Sequence, residues 1–123
     1  MLKVHTTRYG KVAVLCVQGK IVRGETDGLR RAVLAQMDVS LVVLDLARVS
    51  TIDAGGLGVM LELREQSESR GIEFRLKNVT KLVRQVLEIT RLDSVFEIST
   101  PGEVPVAAFR GRPQIFSEIA ACA

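Results

Sequence analysis

The sequence predicts an α/β domain, and three observations carry that prediction. Two strand-like runs near the start are separated by Gly10-Lys11, which suits a tight hairpin. Beyond the hairpin, apolar runs of strand length alternate with stretches of helical period. One of those runs, Leu41-Val42-Val43-Leu44-Asp45-Leu46, is almost wholly apolar, as a strand buried on both faces should be.

The elements follow in order. Lys3 to Tyr9 alternates and is rich in Val, Thr and Tyr, the residues that favour a pleated surface. Val12 to Gln18 reads as the second strand, ended by Gly19. A helix is expected from about Thr26 to Met37, because Leu29, Val33 and Met37 recur at helical spacing. After Leu41 to Leu46, the residues Ala47 to Asp53 read as a loop. Leu57, Met60, Leu61 and Arg64 then mark one face of a second helix, with Glu62, Glu65 and Gln66 on its wet side. Gly71 follows Arg70 as a C-terminal cap. Ile72, Phe74 and Leu76 alternate with Glu73, Arg75 and Lys77, the pattern of a strand with one wet face. Thr80 can cap a third helix carrying Leu82, Val83, Val86, Leu87 and Ile89. Val95-Phe96-Glu97-Ile98 is a short last strand. Strands joined through helices pair as parallel neighbours.

Residues 1–100 form the expected domain, with 101–123 as a partly irregular C-terminal helix or tail of the same unit. Thr100-Pro101-Gly102-Glu103 has the form of a capping box, whereas Pro105 limits any helix there to its first turns.

A chain of 123 residues, 47% hydrophobic and 25% charged, has the make-up of one globular domain. It has no apolar run near the ~20 residues that span a bilayer. Met1-Leu2-Lys3-Val4-His5 has no signal-peptide layout, so a cytoplasmic location without membrane insertion is expected. The net charge of +3 is mild and its basic residues are scattered, while aromatics make up only 4%. A nucleic-acid surface needs a clustered basic stripe with stacking rings, so none is expected. Cys16 lies in an apolar run and reads as a small buried hydrophobe, and Cys122 is penultimate. With His5 as the single histidine, no metal set and no cofactor are expected.

The informative segment is Val49-Ser50-Thr51-Ile52-Asp53-Ala54-Gly55-Gly56-Leu57-Gly58, where a buried strand gives way to an amphipathic helix. Asp53 can cap that helix by accepting from the N–H of Gly55 or Gly56. Gly55 and Gly56 leave room for another surface to approach the backbone. Ser50 and Thr51 are the nearest hydroxyls, and loop hydrogen bonding is their simplest role. Gly55-Gly56-Leu57-Gly58 lacks the lysine and spacing of a phosphate-binding loop. Asp45 and Asp53 could be read as an acid/base pair, but no nucleophile, histidine or metal set accompanies them, so no enzyme activity is expected.

This segment resembles the phosphoacceptor turn of STAS domains, the anti-sigma factor antagonist family, which commonly reads Asp-Ser-Ser-Gly-Leu or Asp-Ser-Thr-Gly-Leu. The resemblance covers about residues 3 to 100. It takes in Val42-Val43-Leu44-Asp45-Leu46 before the turn, Gly71 to Leu76 after the helix, and Val86-Leu87-Glu88-Ile89 with Leu92-Asp93-Ser94-Val95-Phe96. It implies a small mixed sheet of about four to five strands packed against about four helices. It also implies partner switching. Such a domain binds an anti-sigma factor, a serine-protein kinase-type ATPase, and frees a sigma factor. The partner then phosphorylates the second hydroxyl of the motif, and the added charge and bulk disrupt a close-packed interface.

Two departures from the family pattern matter. Ala54 and Gly55 stand at the hydroxyl positions, so Gly55, at the acceptor position, cannot take phosphate. Arg91 stands where the family usually has Gly before Leu-Asp, at a left-handed helix cap. The expected partner surface is therefore Thr51, Asp53, Ala54, Gly55, Gly56 and Leu57, on a monomer or weak homodimer that regulates transcription without the covalent off-signal. The alternative is a STAS-type accessory subunit of an ABC lipid transporter, where the switch is not needed.

Overall fold

A computed structural model describes residues 2–99. Strands β1 (Lys3–Tyr9) and β2 (Val12–Ile21) form the opening hairpin. Helix α1 (Asp27–Leu34), strand β3 (Leu41–Ile52), helix α2 (Ala54–Ser69), strand β4 (Glu73–Lys77), helix α3 (Lys81–Ile89) and strand β5 (Glu97–Ser99) follow. The five strands lie in chain order across one sheet, with β1 antiparallel to β2 and every later pair parallel. The described residues hold three helices rather than about four. The capping box at Thr100, Pro105 and Cys122 lie outside them.

The order explains the layering. Each parallel pair is joined by a crossover that steps in the same direction, and crossovers of one hand stepping one way place their helices on the same face. Leu29 and Val33 of α1, Leu57, Met60 and Leu63 of α2, and Val83 and Leu87 of α3 accordingly share one core. They meet Ala13, Leu15 and Val17 of β2, Val42, Leu44 and Leu46 of β3, and Phe74 and Leu76 of β4. The opposite face has a smaller apolar group, Val12, Val14, Leu41 and Val43, with Cys16 half-buried beside it.

β3 is longer than expected. Residues 47–52, expected as loop, continue the strand because β2 runs past Gly19 and pairs with it as far as Ile21 opposite Ile52. Along this stretch Cys16 faces Asp45 while Gln18 faces Arg48, and Gly19 faces Val49 while Lys20 faces Thr51. β3 thus inserts an extra residue at each of two irregularities, and such bulges break the period-two pattern.

Other boundaries moved less. α1 ends at Leu34, leaving Met37 64% exposed and Asp38 at a positive φ. The buried face of α2 is Gly56, Leu57, Met60, Leu63 and Ser67, and Gly71 (φ 76°) caps its end. The last strand begins at Glu97, because the Phe96 N–H still donates to the Leu92 carbonyl in the preceding turn. Arg91 keeps the left-handed conformation (φ 60°) that glycine would adopt freely, at a cost of about 1 kcal/mol.

The expected wet face of β4 is only partly wet. Arg75 bridges Glu73 and Glu97, but Lys77 is fully buried and its Nζ has no hydrogen-bond partner among the described residues. Burial pushes the Lys77 ammonium below its ordinary value, while the nearby Asp45 charge pulls the other way.

Candidate functional site: the Asp53 turn

β3 delivers the chain to Asp53, whose extended backbone (φ −112°, ψ −179°) lets its side chain turn back over the first turn of α2. Its Oδ1 accepts from the Gly56 N–H at 2.8 Å, which fills one of the unpaired donors of the helix start. The same carboxylate accepts from the Arg23 N–H, at 3.1 Å to Oδ1 and 3.2 Å to Oδ2. The Asp53 N–H in turn donates to the Ile21 carbonyl at 3.3 Å. Asp53 is therefore a cap and also a clasp between the end of β2 and the start of α2. The N–H groups of Gly56 and then Arg23 hold its carboxyl below the ordinary carboxylate value.

The glycines serve the same clasp. A Cβ on Gly56 would collide with the Ile21 carbonyl, and one on Gly55 would lie 2.7 Å from Arg23 Cβ. The close approach that these residues permit is made by the chain's own Ile21–Arg23 segment. Gly58, one residue past Leu57, has nothing within 4 Å of such a Cβ.

Asp53 and Ala54 are exposed, Thr51 and Gly55 are half-buried, and Gly56 and Leu57 are buried. The first four reach the surface of the turn, while Gly56 and Leu57 support it from inside. Ser50 donates from Oγ to the Gly19 carbonyl at 3.3 Å, a loop bond between β3 and β2.

Asp45 is not part of this site. It lies one strand-length away, eight residues or roughly 25 Å of extended chain. It is buried on the face opposite the helices, where Oδ1 accepts from the Ala47 N–H and Oδ2 from Asn78 Nδ2, both at 3.0 Å. His5 is exposed on β1 opposite Cys16. No group of three or more possible metal ligands occurs among the described residues. No described helix is long and apolar enough to cross a membrane.

Sequence reasoning missed Ile21 and Arg23. The one local signal was Gly24, which takes φ 87° just after them and marks a sharp exit from β2.

The family model described as STAS domain matches residues 3–103. BtrV of Bordetella bronchiseptica, named provisionally as an anti-sigma factor antagonist, is 30% identical over 111 residues, covering 89% of this chain and 96% of BtrV. Among solved structures, an anti-sigma factor antagonist from Mycobacterium paratuberculosis superposes with a TM-score of 0.71 at 20% identity, covering 89% of this chain and 92% of that one. The anti-sigma factor antagonist SpoIIAA in its unphosphorylated form gives a TM-score of 0.64 at 19% identity, covering 81% and 89%. At these identities the two structures speak for the fold, and the family match with BtrV speaks for descent. The chain belongs to the STAS domain family.

Proposed function

We propose that the protein is a partner-switch component of the anti-sigma factor antagonist kind. It binds a kinase-type anti-sigma factor through the Asp53 turn, in the cytoplasm, and so acts on transcription by binding rather than by catalysis. Asp53, Ala54, Gly55 and Thr51 form the contact surface. The single observation behind this reading is the clasp. Asp53, Gly55 and Gly56 hold an exposed turn at a helix start, tied to the end of β2, without needing any hydroxyl side chain there. The matched relatives named as anti-sigma factor antagonists supply the class of partner.

Gly55 occupies the family's acceptor position, so the complex is not dissolved by phosphate at that point. Ser50 is already engaged with Gly19, which leaves it a poor substitute.

The test is incubation with the kinase-type anti-sigma factor of the same organism and labelled ATP. A stable complex with no label on this chain is expected. Stoichiometric phosphate on Ser50 or Thr51 would overturn the unswitched reading, and failure to form any complex would overturn the partner. Copurification with a transporter ATPase instead would favour the accessory-subunit alternative.

A further inference from the structure

The end of the sheet that carries the Asp53 turn also gathers cations. On the face away from the helices, Lys3 pairs with Gln18, and Gln18 pairs with Arg48. Lys3, His5, Gln18 and Arg48 line a cavity of about 360 Å³. Lys20 follows Gln18 on the same face of β2 and lies opposite Thr51. Arg23 stands just past β2, its backbone N–H on Asp53 and its Cβ against Gly55. All four cations are exposed.

Among the described residues none of the four is joined to a carboxylate side chain in an ion pair. Asp45 is buried and both its oxygens are engaged, and the Asp53 oxygens accept backbone N–H groups. Glu25 and Asp27 lie beyond Gly24, in a separate depression with Leu2 and Gly28. The described ion pairs join Arg30 to Glu62, Arg64 to Glu68, and Arg75 to Glu73 and Glu97, and so involve none of the four.

We infer that Lys3, Lys20, Arg23 and Arg48 form a basic docking surface, continuous with the Asp53 turn, that takes an acidic segment of the protein partner. The inference rests on the partner-binding reading above and adds the partner's chemistry. Four cations outnumber the single Asp53 carboxylate in this footprint, and the net positive potential reaches over roughly a Debye length, about 8–10 Å, which speeds encounter with a negative surface. The concave shape favours a protein segment over a flat lipid surface. The proximity of Arg23 to Gly55 makes the basic surface and the turn one footprint.

The experiment measures association of the full chain with the kinase-type anti-sigma factor of the same organism across a range of ionic strength. The variant is K3E/K20E/R48E, which leaves the Asp53 clasp untouched, and circular dichroism checks its fold. K20A/R48A is the milder second variant should the triple one fail to fold. Association of the triple variant slows by about tenfold or more at low salt, its salt dependence flattens, and dissociation changes little. Unchanged association with unchanged salt dependence overturns the basic surface while leaving the turn as a binding site. Absence of any complex with the unaltered chain overturns both. Loss of binding to phosphatidylserine vesicles with partner association intact also overturns it, in favour of a membrane surface.

Discussion

Helices α2 and α3 start in chemically similar ways and yet are held very differently. At α3, Thr80 Oγ1 accepts from the Val83 N–H at 3.3 Å, a bond within one helical turn. At α2, Asp53 makes the corresponding local bond to Gly56, and also accepts from Arg23, which is 30 residues away. One cap secures its own helix. The other secures a helix to a strand end, and two glycines are shaped around that junction. A helix start that serves as a binding surface gains rigidity from the second arrangement, because the surrounding loop cannot drift independently.

The junction at α2 is most sensitive at Gly56. Gly56→Ala drives a methyl into the Ile21 carbonyl, and a backbone atom cannot swing aside. Denaturant unfolding is expected to show a loss of at least about 3 kcal/mol, the upper range for overpacking. Asp53→Asn comes next. It should lower the melting temperature more than Thr80→Ala does, and the gap should depend on pH. The folded-state pKa of Asp53 lies below its ordinary 3.8, so its contribution is fully present above about pH 4 and is lost as pH falls through the depressed value. Thermal melts of Asp53→Asn and the unaltered chain should therefore converge in acid. Thr80→Ala removes only a local bond, and a loss of about 1 kcal/mol with little pH dependence is expected from the same melts. The smallest effect has the opposite sign. Gly58→Ala meets open space in a helix interior, and should stabilise by about 0.5–1 kcal/mol. If Gly56→Ala and Gly58→Ala behaved alike, the clasp would be no more than a run of helical glycines.

Much of the fold could be read from residues alone because the signals were local. The alternation of Lys3–Tyr9, the apolar run Leu41–Leu46 and the Thr80 cap each depend on a few adjacent residues. Residues 47–52 were misread because the two extra residues of β3 put Ala47 and Arg48 both outward and hid the strand period. Lys77 fell on the alternating wet face of β4 and is nevertheless buried, an outcome decided by what surrounds the sheet rather than by its pattern. At the site, Asp53 as a cap was legible from its place before the helix. The use of Gly55 and Gly56 was not, because glycine looks the same whether the approaching backbone belongs to a partner or to Ile21 and Arg23.

The bond from Arg23 to Asp53 ties the turn to a distant part of the chain. It closes a loop of 30 residues, and the entropy of that closure must be overcome before the bond can form. The Asp53 carboxylate reaches its second donor where β2 and β3 lie side by side, bulges included. The finished turn therefore rests on the β2–β3 pairing behind it. Without that pairing the carboxylate keeps only its Gly56 donor, so the shape of this turn depends on residues 30 positions away as much as on its own.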